Sequence, residues 1–443
     1  MKKIYVATFG CQQNEADSET ILGIAGTQGF VPVSTPEEAD LILYNTCAVR
    51  EHAELKALST TGQLKHLKEK NKDLKIGLCG CMIQQEHRKE DIKNKYPYVD
   101  FVFGTNMISR LPEILETVYR EKKRRFFVED YADNPGAITE GLPVCRRYPY
   151  KAYVSIMYGC NNFCTYCVVP YVRGRERSRE KDAVVAEVRR LVENGTKDIT
   201  LLGQNVNSYG KDLSTPVTFA ALLRELAEIP GDFVLRFMTS HPKDATSELI
   251  DTIAACPKCE RHFHLPLQSG SDEILKRMNR HYTREKYLAL TRELKEKIPG
   301  VSLTTDVIIG FPGETDANFE DTMKVLEEVR FDGVFSFIYS PRKGTPAEKF
   351  PDRVPEEISR ARMARLLETQ LAIQTENNEK FIGKTLTALC EGPSKNDPAF
   401  LSARSEEGKL IHFPAGNGGR EGEFVKIKIR SAKAIMLIGE ETV

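Results

Sequence analysis

Short apolar runs rich in β-branched residues alternate with helical patterns over the first 128 residues of the chain. The strand-like runs cover 4–8, 41–45, 75–78 and 99–103. Helical patterns lie between them, for example at 17–28 and 52–70. Such a βαβ series predicts a parallel sheet with helices on both faces, so we expect a doubly wound α/β domain over 1–128.

Polar, turn-forming sequence interrupts this series at 129–148 and indicates a linker. A longer βα series follows over 149–380, with strand-like runs at 152–157, 198–202, 233–238, 262–267, 303–309 and 333–339. Helical patterns cover 182–193, 219–229, 284–297, 315–329 and 355–380. Six βα units predict an open, partial (β/α)6 barrel, whose working residues follow the strands at the carboxyl-terminal face.

The last part of the chain, 381–443, predicts a small antiparallel β-barrel, because short runs at 385–390 and 410–413 alternate with glycine-rich turns such as 416–419. Apolar and basic residues alternate strictly from 424 onward. One face carries Val425, Ile427 and Ile429, and the other carries Lys426, Lys428 and Arg430. Two interpretations of this basic outer strand stay open: a solvated edge protected by lysines, and RNA binding through phosphate contacts.

Composition adds little about partners, because 63 basic residues balance 63 acidic ones in a chain of 443 residues. Nucleic-acid binding depends on local positive patches, and two occur. For the patch at 122–125 we favour solvated surface charge. The second patch consists of Arg173, Arg175, Arg177 and Arg179, and its position directly after the cysteine motif described next leaves a functional role open beside solvated surface charge.

No secretory signal and no apolar run of roughly 18–20 residues are present, so we expect a cytoplasmic protein that does not span a membrane. The eleven cysteines are therefore expected to be metal ligands or core residues, not disulfides. Cys160, Cys164 and Cys167, the barrel triad, have the spacing C-x3-C-x2-C. A cubane iron–sulfur cluster takes four ligands, so three thiolates leave one iron open to a small molecule. Zinc or unligated core cysteines are the alternatives, but structural zinc sites use C-x2-C pairs and a fourth ligand.

Three further cysteines, Cys11, Cys47 and Cys81, form the N-terminal triad, because each follows one of the first three predicted long strands. The carboxyl ends of parallel strands meet at one edge, so the three sulfurs should lie together there. Individually each is more typical of a buried apolar cysteine, whereas together they suggest a second cluster. Cys79 is the rival of Cys81 but lies inside the predicted strand.

The barrel triad after a strand resembles the signature of the radical S-adenosylmethionine (SAM) enzymes. The whole chain resembles one of their families, the methylthiotransferases, which have an N-terminal cysteine domain, a partial barrel and a C-terminal β-barrel called TRAM. The resemblance rests on the segments 8–14, 160–179, 201–210, 264–271, 306–315 and 335–345. The first departs at Gln13, where we expect methionine.

The resemblance implies that the two triads bind two [4Fe-4S] clusters, the SAM cluster at the barrel triad and an auxiliary cluster at the N-terminal triad. It implies transfer of a methylthio group to C2 of N6-isopentenyladenosine at position 37 of tRNA, using two SAM molecules and sulfur from the auxiliary cluster. The expected partners are the anticodon arm of tRNA, an electron donor such as flavodoxin and an iron–sulfur assembly or carrier protein. Threonylcarbamoyl-adenosine, a ribosomal-protein aspartate, or a non-enzymatic carrier role are the alternatives.

Four residues that follow or end barrel strands are expected at the SAM site: Gln204, Gln268, Asp306 and Gly310. For Gly310 the expected reason is close approach of the backbone to the ligand. Arg173, Arg175, Arg177, Arg179, Lys426, Lys428 and Arg430 are the expected RNA contacts. The remaining cysteines have no expected role, and the Cys256-x2-Cys259 pair is interpreted as incidental because no second pair follows.

Overall fold

The computed structural model describes residues 1–49, 51–121, 123–131, 136, 138–416 and 420–442. Lys122 of the first basic patch, part of the expected linker and the turn at 417–419 lie outside them. No helix within the described residues is both long enough and apolar enough to cross a membrane.

The N-terminal part forms a six-stranded parallel sheet in the order β2-β1-β3-β4-β5-β6. Its strands are β1 (Lys2–Thr8), β2 (Phe30–Pro32), β3 (Leu41–Thr46), β4 (Lys75–Gly80), β5 (Phe101–Phe103) and β6 (Arg125–Phe127). Its helices are α1 (Gln12–Thr27), α2 (Glu51–Gln63), α3 (Lys65–Lys70), α4 (Glu86–Lys95) and α5 (Leu111–Glu121).

One apolar core lies on each face of this sheet, which confirms the doubly wound prediction. The strand order reverses between β1 and β3, and ligands bind at the carboxyl ends beside such a switch point. The short strands β2 and β6 were not predicted, and the predicted helix at 52–70 is divided into α2 and α3.

The central part contains two three-stranded parallel sheets, β11-β10-β7 and β12-β13-β14, linked by a bridge between Leu235 and Cys259. The strands are β7 (Lys151–Ser155), β8 (Met157–Tyr158), β9 (Arg177–Ser178), β10 (Asp198–Leu202), β11 (Val234–Phe237), β12 (His262–His264), β13 (Ser302–Ile309) and β14 (Gly333–Ile338). The helices are α6 (Val169–Val172), α7 (Lys181–Glu193), α8 (Phe219–Ala227), α9 (Ser247–Ala255), α10 (Asp272–Arg277), α11 (Arg284–Lys297), α12 (Asp316–Val329) and α13 (Glu356–Glu379). One large core joins strands and helices, and the six strands of the two parallel sheets are those predicted for the partial barrel.

The C-terminal part is a closed barrel in the order β15-β16-β17-β19-β18. Its strands are β15 (Thr385–Pro393), β16 (Phe400–Ser405), β17 (Leu410–Pro414), β18 (Phe424–Lys433) and β19 (Met436–Glu441). The apolar face of β18 is buried, as predicted, while Lys426 and Arg430 are exposed and Lys428 is half-buried. However, β18 pairs with both β15 and β19, so the interpretation as an unpaired edge is wrong: barrel closure occupies both sides of the strand.

Candidate functional site: two cysteine triads

The N-terminal triad lies at the carboxyl ends of three neighbouring strands. Cys11 precedes α1, Cys47 directly follows β3, and Cys81 directly follows β4. The Sγ atoms of Cys11 and Cys81 both lie 3.9 Å from Oδ1 of Asn14. A Cβ atom on Gly10, whose φ is +114°, would lie 2.7 Å from Sγ of Cys47. The fold therefore brings the three sulfurs to one pocket.

Cys79 is buried in an apolar core of the sheet, where the charges of Asp17 and Arg173 also act on its thiol. Burial raises the pKa of the Cys81 thiol to about 12, because loss of water penalises the thiolate, and the nearby Cys47 and Cys11 act in the same direction. A thiolate is therefore stable at Cys81 only beside a cation or metal, which fits an iron–sulfur cluster.

A buried guanidinium supplies one such cation. Arg173 is only 4% exposed, and its Nε donates to Sγ of Cys81 at 3.1 Å. Its Nη2 donates to Oδ1 of Asn14 at 2.8 Å and to Oδ2 of Asp17 at 2.7 Å. Arg173 was expected to contact RNA, but its charge is already paired inside the protein.

The barrel triad lies on the loop between β8 and α6, and neighbouring segments hold this loop. The side chain of Asn279 donates to the carbonyls of Asn162 and Phe163, and the backbone N–H of Thr165 donates to the carbonyl of Met278. Phe163 and Asn279 both have positive φ, of 45° and 60°. Such strain in non-glycine residues is typical of functional sites.

Burial also dominates the chemistry of the barrel triad, raising the pKa of Cys160 to about 11 and that of Cys167 to about 12. The nearby Cys164 raises both values further. Arg280 is buried beside the triad, and its Nη1 lies 3.4 Å from Sγ of Cys164. Cys160 and Cys167, like Cys81, therefore favour the thiolate only when a metal is bound.

No three His, Cys, Asp or Glu side chains among the described residues are arranged around a single metal ion. Cluster ligands need no such arrangement, because each cysteine of a cubane binds a different iron. Four of the six cysteines are buried, whereas Cys167 is half-buried and Cys11 is exposed, and both triads fit a three-cysteine cluster.

The four residues expected at the SAM site lie after the barrel strands but have different surroundings. Gln204 is half-buried, and its Oε1 has no hydrogen-bond partner in the described structure. The backbone of Gln268, with φ of +66°, bridges residues 306 and 308 of β13. Oδ2 of Asp306 lies 3.5 Å from Nε2 of His264. Gln204 is the residue with an unused polar atom for a ligand.

The reason given for Gly310 needs correction. A Cβ atom there would lie 2.2 Å from Oγ of Ser359 on α13, and φ is +70°. The absence of a side chain is thus required by packing against α13, since the near neighbour is protein. Gly10 and Gly80 also have protein as their near neighbours, Cys47 and the carbonyl of Thr46.

Three further polar residues that follow barrel strands were not among the expected SAM contacts. Oδ1 of Asn162, Oδ1 of Asn205 and Nε2 of His241 are buried without a hydrogen-bond partner within the described parts of the chain. Burial lowers the pKa of His241 far below its usual range. Because its Nδ1 accepts from the backbone N–H of Lys243, the neutral ring carries its proton on Nε2. Unpaired buried polar atoms commonly belong to ligand sites.

The remaining arginines of the second patch also divide into two kinds. Arg179 is buried and pairs with Glu140 and Glu187, so it does not support a phosphate contact. Arg177 donates to the carbonyl of Gly136. Arg175 is exposed, and its guanidinium lies 4.2 Å from the centre of the Phe163 ring.

A cavity of about 710 Å³ is lined by sequence neighbours of the triad cysteines, and none of the six cysteines themselves lines it. Gln84, close after Cys81, lines one side, whereas Phe163 and Val168, which flank cysteines of the barrel triad, line another. Tyr171, which is 49% exposed, and Arg175 also line it. Segments that adjoin both triads therefore meet at this cavity.

The Cys256-x2-Cys259 pair lies elsewhere, in the large core of the barrel. A hydrogen bond from Cys259 lowers the pKa of Cys256 to about 6, although burial opposes the shift. The two free thiols are hydrogen-bonded to each other, and both triads lie in other parts of the fold. Nothing in these contacts indicates a ligand, so the pair keeps its interpretation as incidental.

Comparison with known protein families matches residues 154–326 to the Radical SAM superfamily and residues 3–104 to the Uncharacterized protein family UPF0004. A tRNA-2-methylthio-N(6)-dimethylallyladenosine synthase from Alkaliphilus oremlandii is 49% identical over 99% of this chain and 92% of its own length. Proteins of the same name from Clostridium botulinum and Clostridioides difficile are 49% and 48% identical over 99% of this chain, which covers 97% and 91% of their lengths.

Among solved structures, the radical S-adenosylmethionine methyltransferase TsrM from Kitasatospora setae has a TM-score of 0.57 at 14% identity, over 78% of this chain and 77% of that one. This likeness concerns the fold alone.

The fold and the two triads define a radical SAM enzyme whose cofactors are SAM and [4Fe-4S] clusters, as expected. Within that class, the chain belongs to the family of tRNA-2-methylthio-N(6)-dimethylallyladenosine synthases.

Proposed function

We propose that this protein transfers a methylthio group to C2 of N6-dimethylallyladenosine, also called isopentenyladenosine, at position 37 of tRNA. The observation that carries the proposal is that the two cysteine triads adjoin, because Val168 and Val172, which follow Cys167, pack against Cys81. The reaction needs both sites, because C2 of adenine offers no acidic proton and must also receive sulfur. Identity to the synthases over 99% of the chain supports the same substrate.

The residues have distinct proposed tasks. Cys160, Cys164 and Cys167 hold the SAM cluster, and Cys11, Cys47 and Cys81 hold the auxiliary cluster. When bound, the first with SAM supplies hydrogen abstraction, and the second supplies sulfur. Gln204 and Gln268, together with Asp306, stay as proposed SAM contacts, and the unpaired atoms of Asn162, Asn205 and His241 add to this set.

The target base must leave its stack to enter the cavity, which suits an unpaired anticodon-loop nucleotide. At the cavity, the Tyr171 and Phe163 rings meet edge to face at 6.2 Å, and Arg175 lies over Phe163. Aromatic rings and guanidinium groups stack readily on unpaired bases. We therefore assign this surface to nucleotides that flank the target.

The outer surface of β18 is the proposed contact for the more distant phosphates. Lys426 is exposed and Lys428 is half-buried, whereas Arg430 pairs with Glu440 at 2.9 Å. The two lysines therefore have more charge to offer a phosphate backbone than Arg430 has. Arg173 and Arg179 are not retained as RNA contacts because both are buried in ion pairs.

An electron donor such as flavodoxin, an iron–sulfur assembly or carrier protein and a cytoplasmic location remain part of the proposal. The relatives quoted above share one name, so no observation favours the alternatives on threonylcarbamoyl-adenosine, ribosomal protein or iron–sulfur transport. A carrier also has no need of a second cysteine triad that adjoins the first.

The decisive experiment is mass analysis of tRNA nucleosides after incubation with reconstituted protein, SAM and a reductant. We expect 2-methylthio-N6-dimethylallyladenosine from tRNA that carries the dimethylallyl group and no product from tRNA that lacks it. Product on threonylcarbamoyl-adenosine instead would contradict the proposed substrate. Protein with the N-terminal triad replaced by alanine is the control, because it should form no methylthio product.

A further inference from the structure

Arg173 is placed as a link between the two triads. It follows Cys167 by six residues, and the short helix α6 spans most of that distance. Val168 and Val172 of this segment form a small buried cluster with Ala48 and Cys81 of the N-terminal part. The loop that carries the barrel triad thus also delivers a guanidinium to the N-terminal triad.

The position of Arg173 is fixed by a chain of buried contacts. Oδ2 of Asp17 accepts from Arg173 at 2.7 Å, while Oδ1 accepts from Nε2 of Gln13 at 3.2 Å. Nε2 of Gln13 also donates to Oγ of Ser155, the last residue of β7, at 2.8 Å. Gln13 is the residue that departs from the expected methionine, and methionine has no N–H group to make either bond.

Buried ion pairs are costly to desolvate, and apolar residues often replace them without loss of stability. The pair of Arg173 and Asp17 therefore calls for a role beyond packing, and its N–H bond to a cysteine sulfur indicates one. Hydrogen bonds and charges at such sulfurs tune the reduction potential of a cluster.

We propose that Arg173 is a positioning residue of the auxiliary site, where it orients Cys81 and places a positive charge beside the cluster, and that Asp17 and Gln13 hold it there. This inference rests on the proposed function only in requiring an auxiliary cluster at the N-terminal triad. A reductant such as dithionite gives that cluster one electron and hence one more negative charge. The charge of Arg173 favours the reduced form, so its removal shifts the midpoint potential downward.

The test uses the full chain with Cys160, Cys164 and Cys167 replaced by alanine, so that only the auxiliary site can bind a cluster. Arg173→Gln, Arg173→Lys and Gln13→Met are compared in this background. Iron per chain, the paramagnetic resonance spectrum of the reduced protein and the midpoint from a dithionite titration are measured. Arg280→Gln is the matched control, because Arg280 bonds the barrel triad and not the N-terminal one.

We expect Arg173→Gln to lower the midpoint potential and change the spectrum. Arg173→Lys should have a midpoint close to that of the unsubstituted background, because the charge remains. Gln13→Met should change the midpoint and the spectrum in the same direction as Arg173→Gln, but by less. Arg280→Gln should change neither. If Arg173→Gln loses the auxiliary iron, the same substitution is made in the chain that lacks the N-terminal triad, and iron bound at the barrel triad is measured. A full barrel cluster there supports the local role, whereas loss of that cluster too indicates a general folding defect and overturns the inference.

An unchanged midpoint and spectrum in Arg173→Gln with normal iron would also overturn it. A lower salt slope of tRNA binding in that variant would instead assign Arg173 to phosphate binding. Failure of the unsubstituted background to bind any iron would contradict the auxiliary cluster itself, and thus the proposed function, before any variant is compared.

Discussion

The two cysteine triads have the same number of ligands but different electrostatic surroundings. Each has one buried arginine that contacts a cysteine sulfur, Arg173 at Cys81 and Arg280 at Cys164. Arg173 is neutralised by the carboxylate of Asp17. The other contacts of Arg280 in the described structure are neutral oxygens, the hydroxyl of Tyr282 at 3.1 Å and the carbonyl of Pro266 at 2.9 Å.

This difference leaves about one more positive charge at the barrel triad than at the N-terminal triad. A positive charge stabilises the reduced form of a cluster and attracts a carboxylate ligand. Both effects suit the proposed role of the barrel triad in binding the SAM cluster. Two sites with the same cysteine ligands therefore differ in the charge that surrounds those ligands, and this difference fits different proposed roles.

The largest effects should come from removing either triad. Replacing Cys11, Cys47 and Cys81 with alanine should remove about half the iron and all methylthio product, while SAM cleavage continues. Replacing the barrel triad should remove the other half and abolish SAM cleavage. Iron analysis and quantification of 5′-deoxyadenosine measure both.

Cys79→Ala is the matched control, because this buried cysteine belongs to the apolar core and should cost only about 1 kcal/mol of stability. Normal methylthiolation without the N-terminal triad would refute the division of tasks.

Single glycine substitutions should separate the two sites almost as well. Gly10→Ala places a Cβ atom 2.5 Å from that of Cys47, so we expect loss of auxiliary iron alone. Gly159→Ala places one 2.0 Å from the carbonyl of Arg175, so we expect loss of barrel iron alone. Gly29→Ala is the control, because its φ is also positive, at +82°, but nothing lies within 4 Å of the added atom. It should cost about 1 kcal/mol and leave both clusters intact, as iron analysis would check.

Asp17→Asn tests the charge difference in the opposite direction from Arg173→Gln. It leaves the charge of Arg173 unpaired, as that of Arg280 is, so the auxiliary midpoint should rise. A unit charge at roughly 8 Å with an effective dielectric constant near 20 corresponds to about 2 kcal/mol. The free energy of unfolding should fall by about 3 kcal/mol, because the buried guanidinium loses its charged partner. A midpoint that falls in redox titration would show that geometry, and not charge, dominates.

SAM affinity should depend on residues of the barrel and not on those of the N-terminal part. Gln204→Leu should weaken SAM binding about tenfold, because a buried polar partner of the ligand is lost. Iron content should not change. Gln84→Leu, on the side of the cavity near Cys81, should leave SAM affinity unchanged. Calorimetric titration of both variants makes the comparison, and equal losses would show that the assignment of sides is mistaken.

The smallest effect concerns tRNA binding far from both triads. Lys426→Gln combined with Lys428→Gln should reduce the salt slope of tRNA affinity by about 1.5, since each phosphate contact adds roughly 0.7–0.9. Arg430→Gln should change it less, because Arg430 already pairs with Glu440. Neither variant should alter iron content or tRNA-free SAM cleavage. An unchanged slope in the lysine variant would return the role to Arg175 or other residues.

The strands, the long helices and the position of both triads could be predicted from the sequence, because period and spacing are local signals. The division of the arginines could not. Arg173, Arg175, Arg177 and Arg179 alternate regularly, yet Arg173 and Arg179 turn inward to carboxylates such as Asp17, 156 residues away, and Glu140. Partners so distant in sequence leave no local signal. Gly310 was singled out because it follows a predicted strand, which is a local signal. Its contact with Ser359 on α13 could not be predicted.

The segment from Cys167 to Arg173 limits how freely the parts of this protein can be exchanged. The N-terminal sheet contributes three cysteines, but the guanidinium beside Cys81 belongs to the barrel sequence. A chimera could join this sheet to the barrel of a relative. It would then combine Gln13 and Asp17 with an arginine segment that evolved beside different residues. The two domains are therefore expected to be inherited, and to be transplanted successfully, only as a pair.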